Sequence, residues 1–354
     1  MSRSDTPPAM TDAPIIDGHN DTLLRLLDAD SPISAFENGT QATHIDRPSA
    51  GEAGLGAGFF AVFVLSDEEH DLVSTADGYE HPLPDAVSHD HAREVTYRTL
   101  ELLARLAYDV DDFRVIRTLS DLDSCLESDT LGAIPHLEGA AGVAPDLANL
   151  DFLYSAGVRS IGLVWSRPNA FGEGVQSRYP GSPDTGSGLT DEGRDLVRAC
   201  EERGIVIDCA HMTEQGFWDV ADSTDAPLVV SHSGAHELCP HSRNLTDEQL
   251  AAVADSGGVV GISFHEPGLA DDPDPNAEVA VETVVDHVEH VAEFVGVEHV
   301  VFGSDFDGAR IPDEIGNVTG LTEILTRLRE RGFSDSDIEN VARENWRRVL
   351  AETW

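Results

Sequence analysis

Short apolar runs alternate with segments of helical periodicity along most of this chain. Runs of strand length fall at 13–18, 58–65, 132–137, 158–165, 204–209, 227–231, 258–264 and 299–304. Apolar residues recurring every three or four positions predict helices at 90–108, 146–156, 189–203, 212–223, 246–255, 277–295, 319–332 and 335–352. Thr190-Asp191-Glu192, Thr246-Asp247-Glu248 and Ser334-Asp335 each supply a capping residue followed by acids in the first turn. Eight strand-then-helix units with no clear linker predict a closed (β/α)8 TIM barrel of the metallo-dependent hydrolase type. An open doubly wound sheet is the alternative, and it would group its ligands near one switch point. The expected organisation is a flexible tail over 1–12 and a single catalytic barrel over 13–354. A long insertion at about 66–131 is expected to form a lid.

In a barrel the active site forms where strands end, and five of the predicted strands end in side chains able to bind metal. The first runs Ile15-Ile16-Asp17-Gly18-His19-Asn20-Asp21. Residues two apart in an extended chain face the same side, so His19 and Asp21 converge. The third ends in Glu138, the fifth in His211, the sixth in His232 and the eighth in Asp305. Three histidines and three carboxylates suit two divalent ions better than one catalytic zinc, which takes about three protein ligands and a water. His44-Ile45-Asp46 repeats the His-x-Asp spacing without a strand to present it. His287 and His290 read as a solvated helix face, His89 and His91 as capping or solvated residues, and His136 as a group pointing into the barrel behind Glu138.

Composition narrows the setting. The 354 residues carry 66 acidic and 22 basic side chains, a net charge of −44, and every basic residue is Arg. With 40% hydrophobic content this is a folded chain in an acidic shell, an arrangement suited to high salt, where self-repulsion is screened. Nucleic acid and anionic membranes are excluded as partners by repulsion. No run reaches the length of a membrane span. Cys125, Cys200, Cys209 and Cys239 lack CxxC spacing and read as reduced core thiols of a soluble cytoplasmic protein. The absence of Lys rules out the carboxylated lysine that bridges the metals in many binuclear barrel hydrolases. A bridge here must be an Asp or Glu, and Glu138 is the natural choice.

Several segments together resemble the membrane dipeptidase (renal dipeptidase) family of zinc peptidases over nearly the whole chain. They are Ile16-Asp17-Gly18-His19-Asn20-Asp21, His136-Leu137-Glu138-Gly139, Asp208-Cys209-Ala210-His211, Ser231-His232-Ser233-Gly234-Ala235, Ser242-Arg243-Asn244-Leu245, Gly303-Ser304-Asp305-Phe306-Asp307-Gly308 and Asn345-Trp346. The resemblance implies a binuclear zinc dipeptidase, with His19 and Asp21 on one Zn2+, His211 and His232 on the other, and Glu138 bridging both. A hydroxide bridging the two ions would attack the peptide bond of a dipeptide, with Asp305 as proton shuttle and Arg243 binding the substrate's C-terminal carboxylate. A homodimer is common in the family. Trp165 stands where the animal enzymes carry a substrate-contacting His, as in bacterial and archaeal members. Two alternatives remain open: a metal-dependent amidohydrolase or phosphoesterase acting on a non-peptide amide, lactam or ester, and an inactive metal-storing barrel.

Overall fold

The structure, a computed structural model, describes residues 14–66 and 71–354. The expected tail at 1–12 lies outside the described residues. Eight parallel strands close into a barrel: β1 (Ile15–Asn20), β2 (Leu55–Phe63), β3 (Leu131–Glu138), β4 (Ser160–Gly162), β5 (Val206–Asp208), β6 (Val229–Ser233), β7 (Val259–Ile262) and β8 (Val300–Phe302). Each pairs with its sequence neighbours, and β8 returns to β1 with Phe302 beside Asp17. The long β2–β3 ladder, from Ala57 opposite Gly132 to Phe63 opposite Glu138, completes the ring and excludes the open sheet. β2 begins three residues before the predicted run. Its Leu55-Gly56-Ala57-Gly58 start carries too little apolar bulk to be read as a strand.

The barrel interior explains the strand patterning. Ile16, Phe59, Ile134, Val206, Val229, Val259 and Val301, one from each strand except β4, pack as one buried cluster with Trp346. Two positions further along, several strands change to polar or small residues: Gly18, His136, Asp208, Ser231, Gly261 and Gly303. The apolar layer therefore supports a polar one, which lies toward the strand ends. Trp346 plugs the bottom. Its ring is buried 4.6 Å from that of Phe59, and its Nε1 donates to Phe302 O at 3.2 Å.

The predicted helices are present, most of them with shorter bounds, and their caps are as expected. Thr190, Thr246 and Ser334 accept from the backbone N–H of Gly193, Gln249 and Asp337. The expected helix at 335–352 is interrupted at Asn340–Glu344 by a wider, π-type turn. Helices Thr22–Leu27, Pro32–Asn38 and Arg47–Ala53 escape the periodicity reading because each spans fewer than two full turns. The insertion holds the predicted helix as His89–Asp109, a further helix, Leu119–Leu126, and a strand, Phe113–Val115, alongside β3. In the first of these helices Ser88 is the cap, and His89 Nδ1 donates to Ala141 O.

One expectation about the helices is overturned. His287 does not face solvent; it is 0% exposed. Its Nδ1 accepts from Ala235 N at 3.0 Å and its Nε2 donates to Leu269 O at 3.1 Å. The ring thus ties the segment after β6 to the one after β7, a long-range role that helical spacing does not reveal. His290, one turn on, is half-buried against Phe294.

Candidate active site

All the singled-out strand-end residues meet at one mouth of the barrel. His211 Nε2 lies 3.0 Å from Glu138 Oε1, and the Nε2 atoms of His19 and His232 each lie 3.7 Å from that same oxygen. The His211 and His232 Nε2 atoms face each other at 3.0 Å. His19 Nε2 is 3.4 Å from Asp21 Oδ2. Asp21 occupies the N-cap position of the Thr22–Leu27 helix, but its carboxylate makes no cap and turns toward His19 instead. Two triads, His19–Glu138–His232 and His19–Asp21–Asp305, each bring three ligating atoms within 4.8 Å of one another. His211, Asp305 and Asp307 all adopt left-handed φ values near +65°, a conformation rare for residues with a Cβ and concentrated at functional sites.

The donor set suits a cation. Among the described residues, both ring nitrogens of His19 and Oδ1 of Asp21 are buried with no hydrogen-bond partner, a cost that a bound ion removes. Burial, and then the positive charge of Arg243 on His211 and of His19 on His232, push both rings well below the usual imidazole range, so both are neutral. Burial, and then the Asp21 charge, push Glu138 well above the usual carboxylate range. Burial pulls His19 down, yet the charges of Glu138, Asp21 and Asp305 carry it up to about 10. The carboxylates thus draw in positive charge even from a buried ring.

A polar layer holds these rings in place. Asp208 Oδ2 accepts from Ser231 Oγ at 2.6 Å, and Ser231 Oγ lies 2.8 Å from His232 Nδ1. Asp208 Oδ1 accepts from Ser231 N and Ala210 N. His136 bridges Ser160 Oγ at 2.9 Å and Asp208 at 3.5 Å, inside the barrel as expected. Asp17 accepts from Ser304 N and Oγ, joining β1 to β8 beneath His19. The sequence reading does not single out Asp17, Asp208, Ser231 or Ser304. The available signal is the acidic residue within an otherwise apolar strand, since Asp is almost never fully buried without a partner. The solitary His44 braces the loop after β8 instead. Its Nδ1 accepts from Asp307 N, and its own N–H donates to Asp307 Oδ1.

The site opens into a cavity of about 620 Å³ lined by Asp21, Glu138, Trp165, His211, Arg243 and Asp305, with His81 to Pro84 of the insertion at its rim. Arg243 lies against this cluster, its Nη1 2.7 Å from His211 Nδ1. Burial holds the Asp305 carboxyl above its usual range. Trp165 stacks obliquely on Phe63 at 5.1 Å and stands 5.7 Å from the His211 ring. The four cysteines are free and buried. Among the described residues no helix is long and apolar enough to cross a membrane.

Comparison with known proteins agrees with this geometry. A metallopeptidase from Rhodobacter sphaeroides, solved with a phosphinate mimic of the dipeptide L-Ala-D-Ala, is 40% identical; the match covers 97% of this chain and 99% of that one, with a TM-score of 0.93. A second solved metallopeptidase of family M19, dipeptidase AC, is also 40% identical over 97% and 99% of the two chains, with a TM-score of 0.91. Dipeptidase tcpJ of Claviceps purpurea (strain 20.1) is 29% identical over 88% of this chain and 69% of its own length. The family model for membrane dipeptidase, peptidase family M19, matches residues 5–353. With that match spanning the barrel and every strand end that builds the site, the chain belongs to the membrane dipeptidase family of metallopeptidases.

Proposed function

We propose that this metallopeptidase hydrolyses dipeptides at a two-zinc centre held by His19 and Asp21 on one side, His211 and His232 on the other, and Glu138 between them. The observation that carries this reading is the convergence of these five side chains, from four strand ends, with both ring nitrogens of His19 and Oδ1 of Asp21 buried and lacking a protein partner. Bound zinc supplies a Lewis acid for the scissile carbonyl and acidifies the attacking water.

The protein's own groups do the rest. The planar guanidinium of Arg243 pairs with the substrate's C-terminal carboxylate and thereby sets which amide bond reaches the metals. Asp305 takes the proton given up by the attacking water and passes it to the amine released when the C–N bond breaks. Asp208, Ser231 and His136 keep the ligand rings oriented. The insertion segment at the rim acts as a lid that limits the mouth to short substrates. The dipeptide mimic bound by the Rhodobacter relative supports this substrate class. Four unbridged thiols fit a cytoplasmic setting.

The test is metal analysis of the purified protein coupled to a dipeptide panel assayed in high salt. About two zinc ions per chain are expected, with hydrolysis abolished by chelator and restored by zinc. Full activity in a metal-free preparation overturns the reading.

A further inference from the structure

One apolar wall of the cavity is built around a buried cation. Leu65 is 51% exposed, one of the few large hydrophobic side chains left in solvent, and it lies at the rim of the site. Beside it Phe63 and Trp165 form an oblique aromatic pair that also lines the cavity. Behind this pair stands Arg167, only 2% exposed. Its Nη2 donates to Val64 O at 2.6 Å and its Nη1 to Ser66 Oγ at 2.8 Å. Its guanidinium carbon sits 5.6 Å from the Phe63 ring centre and 5.5 Å from that of Trp165. One buried cation therefore grips the chain on either side of Leu65 and lies against both rings, an arrangement that only a planar fork provides.

The Trp165 backbone is equally confined. A Cβ at Gly174 would lie 1.7 Å from Trp165 O, so only glycine permits that approach. Arg167 N donates to Trp165 O at 2.6 Å. The wall is thus rigid and preformed, which lowers the cost of binding against it.

We infer that the Phe63–Leu65–Trp165 wall, held by Arg167, is a subsite for an apolar side chain on the C-terminal residue of the substrate. The inference rests on the dipeptidase reading above. His211 sets the position, because its ring lies 5.7 Å from Trp165 while Arg243 Nη1 lies 2.7 Å from its Nδ1. The wall therefore adjoins the guanidinium that takes the C-terminal carboxylate, and the side chain borne by that same residue meets it. Arg167 is a positioning residue that acts through Trp165 and Leu65.

The experiment compares kcat/KM for Ala-Gly, Ala-Leu and Ala-Phe, using both enantiomers at the C-terminal position, and for Leu-Ala and Phe-Ala. Burying a Leu or Phe side chain is worth roughly 1.5–3 kcal/mol. The better enantiomer of Ala-Leu or Ala-Phe should therefore exceed Ala-Gly at least tenfold, with a smaller spread in the reversed series. Arg167→Met should raise KM for Ala-Phe much more than it lowers kcat, and shrink the Ala-Phe to Ala-Gly ratio. Leu65→Ser, at an exposed position that does not endanger folding, should shrink the Ala-Leu to Ala-Gly ratio as well. Equal kcat/KM for Ala-Gly and both apolar substrates overturns the subsite while leaving the dipeptidase reading intact. Failure to cleave any dipeptide overturns that reading itself.

Discussion

The carboxylate of Asp208 and the ring of His232 are joined through one hydroxyl: Ser231 Oγ donates to Asp208 Oδ2 at 2.6 Å and lies 2.8 Å from His232 Nδ1. Asp208 also anchors two backbone N–H groups and stands 3.5 Å from His136 Nε2. Asp208→Asn preserves shape but turns an acceptor oxygen into a donor facing groups that already donate. Partners of metal ligands typically account for 10–100-fold in metal affinity or activity. Asp208→Asn should lose zinc affinity within that range, as read by chelator competition. Unchanged affinity would show that Ser231 alone orients the ring.

Arg243 is assigned to the carboxylate of the substrate, and that assignment separates peptide from non-peptide chemistry. Charge-assisted hydrogen bonds contribute about 1.5–3 kcal/mol, so Arg243→Ala should raise KM for dipeptides at least tenfold. Dipeptide amides, which lack the carboxylate, should be poor substrates of the native protein and respond little to the change. An unaltered dipeptide KM would remove the clamp and favour an amide, lactam or ester as substrate.

His287 makes stability depend on acidity away from the metal site. Burial pushes it from the usual 6.5 to about 4. Between those values the unfolded chain binds more protons than the folded one, so stability is complete above about pH 6.5 and falls as the pH drops toward 4. The whole contribution is of the order of 3 kcal/mol. His287→Ala should be less stable than the native protein at pH 8, because Ala235 N and Leu269 O lose their partner. It should also lose less on acidification. Denaturant midpoints at pH 8, 6 and 5 measure both effects, and parallel declines would assign the acid sensitivity elsewhere.

The acidic shell should make folding depend on salt. With 66 acids and 22 bases, many carboxylates have no basic partner, and salt shortens the Debye length from about 10 Å at 0.1 M to about 3 Å at 1 M. The melting temperature should rise between 0.1 M and 2 M NaCl. A constant melting temperature would mean that the surface charges are already compensated.

Sequence and structure divide this protein along a physical line. Alternation and apolar runs mark the strands, and Asp, His or Glu at the ends of those runs marks the candidate ligands. Those properties are local, because the side-chain direction of a strand follows from its period of two. The barrel, His19, Asp21, Glu138, His211, His232 and Asp305 are therefore legible residue by residue. The short helices after β1 are not, because a helix of six or seven residues carries too few apolar positions to show a period. Nor are the roles of His287, His44, Asp208 and Arg167. His287 looks solvated by spacing yet is enclosed by segments 52 and 18 residues away, and Arg167 reaches back 101 and 103 residues to its partners. Burial and hydrogen bonding between distant segments depend on closure of the barrel, and only the tertiary structure decides them.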